Sequence, residues 1–169
     1  PKLPVALRPA RTTDVPAIQD IVRPHADSRV LLQKETVAYY EAIQEFVVAE
    51  EADGTLAGFG ALHVMWQDIA EVRTLAVSEA HRGTGVGHLI IEELLDRARA
   101  VGVERVFCLT FEVEFFRRHG FEVMADQSAV DPEVYAELLR STDEGVAEFL
   151  DLARVKPNTL GNTRMIRRL

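Results

Sequence analysis

Arg82-Gly83-Thr84-Gly85-Val86-Gly87 is the segment of this chain whose residue types and spacing best suit a chemical task. Consecutive backbone N–H groups of a glycine loop entering a helix form a pocket for phosphate oxygens. The glycines remove side chains that would block close approach, the helix dipole favours negative charge, and Arg82 adds a cation. No Gly-Lys-Ser/Thr follows, so this is not a nucleoside-triphosphatase loop. The glycine order also fails the dinucleotide fingerprint. A plain glycine turn is the bland alternative. Placement after an apolar strand and before a strongly amphipathic helix favours phosphate binding.

Other reactive types carry less. Cys108 is the single cysteine, so it forms no internal disulfide, and it reads as a small buried residue. His63, His81, His88 and His119 lack metal-ligand spacing and read as structural or surface residues, so no metal is expected.

The elements that must position the loop follow from periodicity. Val5 to Arg8 reads as a strand. Thr12 or Thr13 caps a helix that Pro24 should end or bend. A second helix covers about Lys34 to Ile43, with Val37, Tyr40 and Ile43 inward. Phe46 to Glu50, Leu56 to Val64 and Ala70 to Val77 read as an antiparallel meander, with a turn at Asp53-Gly54. Gly58 and Gly60 allow close approach by a neighbour. Val86, Ile90, Leu94 and Ala98 make a helical stripe widened by Leu89 and Leu95, stopped at Gly102. Val103 to Thr110 is a buried strand, Val113 to His119 a short helix, and Phe121 to Met124 starts a strand. Asp131-Pro132 opens a helix to about Arg140. Ser141 to Glu144 has capping-box spacing before a helix to about Arg154. Pro157 to Gly161 is a loop, and Thr163 to Leu169 a final strand. The expectation is an α+β fold with a mixed central sheet flanked by helices, as one domain over residues 1–169.

Composition bounds the rest. The chain has 169 residues and a formal net charge of −8. That balance argues against a general nucleic-acid surface. No apolar run is long enough for a membrane span, and Pro1 to Arg8 lack a signal peptide's apolar block, so a cytoplasmic setting is expected.

Arg82-x-x-Gly85-x-Gly87, the strand Glu71 to Val77 before it, and Arg117-Arg118-His119-Gly120-Phe121 resemble the GNAT superfamily of acyl-CoA-dependent N-acetyltransferases, over roughly Val5 to Met124. Several segments are similar to the acetyltransferase domain of N-acetylglutamate synthases: Leu7-Arg8-Pro9-Ala10 with Asp14-Val15, Ile21 to Pro24, and Leu109-Thr110 followed by Phe115 to Phe121. The chain resembles their short, stand-alone form.

The resemblance implies acetyl-CoA as co-substrate, held by Leu75, Ala76 and Val77 and by Arg82, Gly83, Thr84, Gly85, Val86 and Gly87. It places a general base at Glu71. It implies a free amino acid, glutamate or glutamine, as acceptor in the first step of arginine synthesis. Simple alternation puts Glu71, Arg73, Leu75 and Val77 on one strand face. Arg73 is then the first candidate to grip the substrate carboxylate, Lys34 the second, and Arg164 a third in the terminal segment. Many members protonate the departing thiolate with a tyrosine where this chain has Phe116. The resembling synthases put a Ser or Thr near Thr110, so Thr110 is assigned orientation or relay. A homodimer and arginine feedback are further implications. Two other readings stay open: a GNAT enzyme for another amine or a protein N-terminus, and a non-catalytic acyl-CoA-binding module.

Overall fold

The computed structural model describes residues 4–27, 34–124, 130–152 and 161–169. Its elements in chain order are β1 (Ala6–Pro9), α1 (Val15–Asp27), α2 (Thr36–Glu41), β2 (Phe46–Glu50), β3 (Leu56–Trp66), β4 (Ile69–Val77), α3 (Val86–Val101), β5 (Arg105–Thr110), α4 (Val113–Arg117), β6 (Glu122–Val123), α5 (Pro132–Leu138), α6 (Glu144–Phe149) and β7 (Thr163–Arg168). The strands form one seven-stranded sheet in the order β1-β2-β3-β4-β5-β7-β6. The first two pairings are antiparallel, β4 and β5 run parallel, and β7 runs antiparallel to both β5 and β6. A parallel neighbour needs a crossover, and α3 supplies it between β4 and β5. The mixed sheet with flanking helices is the architecture the sequence pattern implies.

The chain divides into two compact units, residues 1–62 with 72–97, and residues 63–71 with 98–169. In the first, Val15, Ile18, Ile21 and Val22 of α1 pack with Tyr39, Phe46, Val48, Phe59 and Ala61. Tyr39, Phe46 and Phe59 form a run of rings with centroids 6.0 and 5.9 Å apart. On the other face of β3, Gly58 and Gly60 admit α3. A Cβ at Gly58 would stand 2.9 Å from Ile90 Cδ1, and one at Gly60 would stand 2.9 Å from Leu94 Cδ1. The two glycines are therefore where the helix seats on the strand.

In the second unit, Ile69 and Phe107 pack with Leu138, Val146, Phe149 and Leu150. The rings of Phe107 and Phe149 meet edge to face at 5.4 Å. Gly102 has φ +102, and its N–H and that of Val103 both donate to the Ala98 carbonyl. It ends α3 in the left-handed conformation that favours glycine.

Several expectations need correction. Pro24 lies inside α1, which continues to Asp27. The second helix is only Thr36–Glu41, so Lys34 precedes it. Its buried residue is Tyr39, while Val37 and Tyr40 are exposed; the tilted contact of Tyr39 with Phe46 sets the rotation of so short a helix. Leu89 is also exposed; Ile91 and Leu95 widen the α3 stripe from its other side. Asp143, rather than Ser141, caps α6: its carboxylate accepts from Val146 N–H, and Ser141 Oγ accepts from Asp143 N–H. α6 stops at Phe149, with Leu150 as its C-cap and Asp151 at φ +58, so it is shorter than the helix predicted to about Arg154; Arg154 itself and most of the Pro157 to Gly161 loop lie outside the described residues.

Candidate functional site

In the first unit, β4 ends at Val77 and a short 3-10 turn, Glu79–His81, leads into the loop. Gly83 and Gly85 have φ of +73 and +90. Only glycine holds such angles without penalty, which explains their spacing in the sequence. Thr84 fixes the turn between them: its N–H and its hydroxyl both donate to the His81 carbonyl, at 3.2 and 2.5 Å. The first bond joining the loop to α3 runs from Leu89 N–H to the Gly85 carbonyl. The opening N–H groups of a helix have no partner within it, so this end offers donors to an anion. A Cβ built on Gly83 would meet nothing within 4 Å, so the loop's own surface is open there. Arg82 is well exposed and lies 3.5 Å from Glu79. A surface pair of this kind is weak, and the guanidinium is easily redirected to a phosphate.

Strand β4 carries an irregularity that the alternation rule hides. Thr74 has φ +54. For a β-branched residue this conformation costs on the order of 1–2 kcal/mol. Strict pleating therefore stops at Thr74, and the sharing of one face by Glu71, Arg73, Leu75 and Val77 is not maintained through it. Leu75 approaches Gly60 and α3, whereas Ala76 joins the α1 cluster. The Thr74 hydroxyl oxygen is buried without a hydrogen-bond partner among the described residues. Thr74 thus combines backbone strain with an unsatisfied polar atom, features that concentrate at functional sites.

In the second unit, Glu71 is 4% exposed and opposes Phe107 in the parallel ladder, whose pairs are Ile69–Arg105, Ala70–Val106 and Glu71–Phe107. Its charge reaches Cys108: burial pushes the Cys108 thiol well up, and the Glu71 carboxylate pushes it further. Cys108 is thus a buried thiol held protonated, as its sequence reading implies. Thr110, at the end of β5, is buried, and its Oγ1 accepts from Glu112 N–H at 2.7 Å. A hydroxyl that accepts from the backbone keeps its own proton to donate. Phe116 is buried between Phe115 and Phe121, with centroids at 5.2 and 5.1 Å, and offers no proton.

The three substrate candidates differ. Lys34 Nζ stands over two rings, 5.8 Å from the Tyr39 centroid and 5.7 Å from that of Phe46. It is an ammonium placed on an aromatic surface rather than a solvated helix cation. Arg73 is half-buried in β4. Arg164 lies opposite Leu109 on β7, and its guanidinium donates to the Glu148 carbonyl at 3.0 Å and to that of Phe149. Burial lowers its pKa. The geometry gives Arg164 the task of closing the C-terminal end of α6. Lys34, Arg73 and the loop belong to the first unit, and Glu71, Thr110 and Arg164 to the second.

Sequence reasoning missed two clusters. Arg8 grips Asp14 through both terminal nitrogens, at 2.8 and 2.9 Å, and reaches Glu50 at 3.1 Å. The hydrogen-bonded Arg8 holds the Asp14 carboxyl below the usual range. The other is His81, bonded on both ring nitrogens and 3% exposed. Each cluster is completed by a carboxylate distant in sequence, Glu50 for Arg8 and Glu51 for His81, so local spacing does not disclose it. Among the described residues no group of three or more His, Cys, Asp or Glu is placed to hold a metal ion, and no helix is long and apolar enough to cross a membrane.

A parallel β-α-β unit whose glycine loop opens onto a helix is the arrangement expected of a transferase that binds an acyl-CoA. Residues 15–121 match the model of the acetyltransferase (GNAT) family, and the chain belongs to that family. It is 54% identical over 162 residues to an amino-acid acetyltransferase of Mycobacterium tuberculosis, covering 95% of this chain and 92% of that one. The crystal structure of Rv2747 from the same species, in complex with CoA and NLQ, superposes with a TM-score of 0.91 at 53% identity, covering 97% of this chain and 99% of that one. N-acetylglutamate synthase of Neisseria gonorrhoeae, complexed with coenzyme A and N-acetyl-glutamate, gives a TM-score of 0.78 at 25% identity over 100% of this chain and 36% of that one. The chain is an acetyl-CoA-using N-acetyltransferase, and the open glycine loop fits the pyrophosphate of that co-substrate.

Proposed function

We propose that the chain transfers the acetyl group of acetyl-CoA to the α-amino group of L-glutamate, with L-glutamine as the other candidate, in the first step of arginine biosynthesis. The observation that carries the proposal is likeness over nearly the whole length of both chains to an amino-acid acetyltransferase. The backbone of Gly83 to Gly87 holds the pyrophosphate, with Arg82 as an auxiliary cation, and Leu75 to Val77 line the pantetheine. Glu71 takes a proton from the substrate ammonium, directly or through water. The freed nitrogen attacks the thioester carbon, the C–N bond forms, and the C–S bond breaks as the intermediate collapses. Thr110 orients or relays the proton that the departing thiolate needs; its pKa is too high for it to be a strong acid. Arg73 grips the α-carboxylate, with Lys34 as a second cation.

The family match spans both compact units, which supports one acetyltransferase domain over residues 1–169; a cytoplasmic setting is a further part of the proposal. Arginine as a feedback inhibitor and a homodimer are parts of the same proposal; the Neisseria gonorrhoeae synthase has also been crystallised with L-arginine.

The test is thiol release from acetyl-CoA against all common amino acids, a polyamine and a peptide N-terminus. Glutamate or glutamine should be used best. Preference for the polyamine or peptide would replace the acceptor, and absence of turnover with every amine would leave a binding module. Gly85→Val should weaken CoA binding by about 100-fold, because it combines a forbidden φ with a blocked cradle. Unchanged affinity by calorimetry would move the pyrophosphate elsewhere.

A further inference from the structure

A chain of side-chain hydrogen bonds lies directly under the phosphate loop. Ser78 Oγ is 2.6 Å from His81 Nδ1, and His81 Nε2 is 2.8 Å from Glu51 Oε1. A carboxylate only accepts, so Nε2 carries the ring proton toward Glu51. In the neutral ring, Nδ1 then accepts from the Ser78 hydroxyl. The order Ser-His-Glu is that of a hydrolytic triad. However, the ring is 3% exposed, and the serine sits at the foot of the phosphate loop. The network has another use.

Each member is anchored in turn. Ser78 N–H donates to the Ala57 carbonyl of β3. Glu51 N–H donates to the Thr55 carbonyl, and the Glu51 carbonyl accepts from Gly54 N–H, so the β2–β3 hairpin fixes it. His81 N–H donates to the Ser78 carbonyl, and the His81 carbonyl takes both donors of Thr84. The imidazole is thus held on both ring nitrogens by side chains anchored at the sheet, and the His81 carbonyl fixes the turn that holds Gly83 and Gly85.

We propose that Glu51, His81 and Ser78 form a brace that pre-shapes the pyrophosphate loop, with Glu51 as a positioning residue for co-substrate affinity. The inference rests on the reading that the loop binds the pyrophosphate. A flexible loop must be ordered when the ligand binds; a braced loop has lost that entropy already. Glu51→Leu removes the acceptor and should raise the apparent KM for acetyl-CoA about tenfold, with kcat nearly unchanged. Glu51→Gln keeps an oxygen acceptor and should restore most of the affinity.

The discriminating comparison is acetyl-CoA against acetyl-pantetheine, which lacks the pyrophosphate. In Glu51→Leu the ratio of their kcat/KM values should fall about tenfold, and calorimetry should show the same loss for CoA alone. Equal loss with both acyl donors would mean general damage and would overturn the brace, as would an unchanged ratio. Should Glu51→Leu not fold, Ser78→Ala breaks the other end of the brace and is judged by the same ratio. A wild type that does not prefer acetyl-CoA over acetyl-pantetheine would instead overturn the pyrophosphate reading itself.

Discussion

Between Ser78 and Gly87, neighbours in sequence make the candidate phosphate cradle, and most of its donors are backbone. Around Glu71 the situation is reversed: Glu71, Phe107 and Cys108 come together only through the pairing of β4 with β5. A backbone site tolerates many side chains but few backbone changes. A side-chain site depends on the one group that carries the charge. The first should therefore fail through conformation and the second through chemistry.

The largest expected effect tests the second half of that contrast. Glu71→Gln keeps size and removes the base, so turnover should fall ~10²-fold or more while CoA affinity by calorimetry stays constant. The wild-type pH profile should rise through one essential deprotonation that the variant lacks. Near-normal turnover would transfer the base to a water chain or another residue.

The regions also differ in what holds them together. The compact unit that carries the loop ties β1 to β2 and to the turn before α1 through Arg8, Asp14 and Glu50, beside its ring cluster; the unit that carries Glu71 packs Phe107 against Phe149. Asp14→Asn leaves Arg8 without its two-pronged partner and should lower stability by about 2 kcal/mol in urea unfolding. Because the folded Asp14 pKa is depressed, its contribution is complete above the unfolded value of about 4. It is lost as pH falls through the lower folded value. Acid titration of the wild type should show this loss, and Asp14→Asn should lack that part of it. Identical acid curves would mean that the ion pair contributes nothing.

These clusters mark the limit of what the sequence discloses. Gly83 and Gly85 are legible because positive φ demands glycine at fixed local positions. The α3 stripe is legible because its period is local too. The Leu89 error shows that a stripe's width is decided by its neighbour. Tyr39, rather than Val37 or Tyr40, faces inward because of Phe46, a contact absent from any helical period. Thr74 breaks the pleat although its residue type favours strands, and nothing nearby announces it. The His81 brace needs Glu51 from another hairpin, so even the most local site in the chain leans on a distant residue.

The contrast sharpens at Arg73, which stands one residue before the break in the pleat. As the carboxylate clamp, Arg73→Ala should raise the acceptor KM about tenfold, roughly 1.4 kcal/mol, and leave the acetyl-CoA KM almost unchanged. Glutamate amidated at its α-carboxylate should be a poor acceptor for the wild type and much less discriminated against by the variant. Steady-state kinetics with both acceptors decides it. Equal use of the free and amidated forms by the wild type would remove the clamp and favour an acetyltransferase for other amines.

The smallest effect belongs to Phe116, where the side-chain half of the contrast makes a negative claim. A tyrosine at this position would supply the proton that the departing thiolate needs. Yet Phe116 is packed edge to face against both Phe115 and Phe121, and its ring is buried. A new hydroxyl there must find a partner or lose its hydration, so Phe116→Tyr should lower stability by about 1 kcal/mol or more. If Thr110 or water already serves the thiolate, kcat should change by less than about threefold, since the added donor relieves no rate-limiting deficit. Thr110→Val in the same background separates the cases. A loss of turnover in Thr110→Val that Phe116→Tyr restores would show that the two positions serve the same proton. A rise of tenfold or more in Phe116→Tyr alone would show that this chain lacks an effective donor, and the relay assigned to Thr110 would fall.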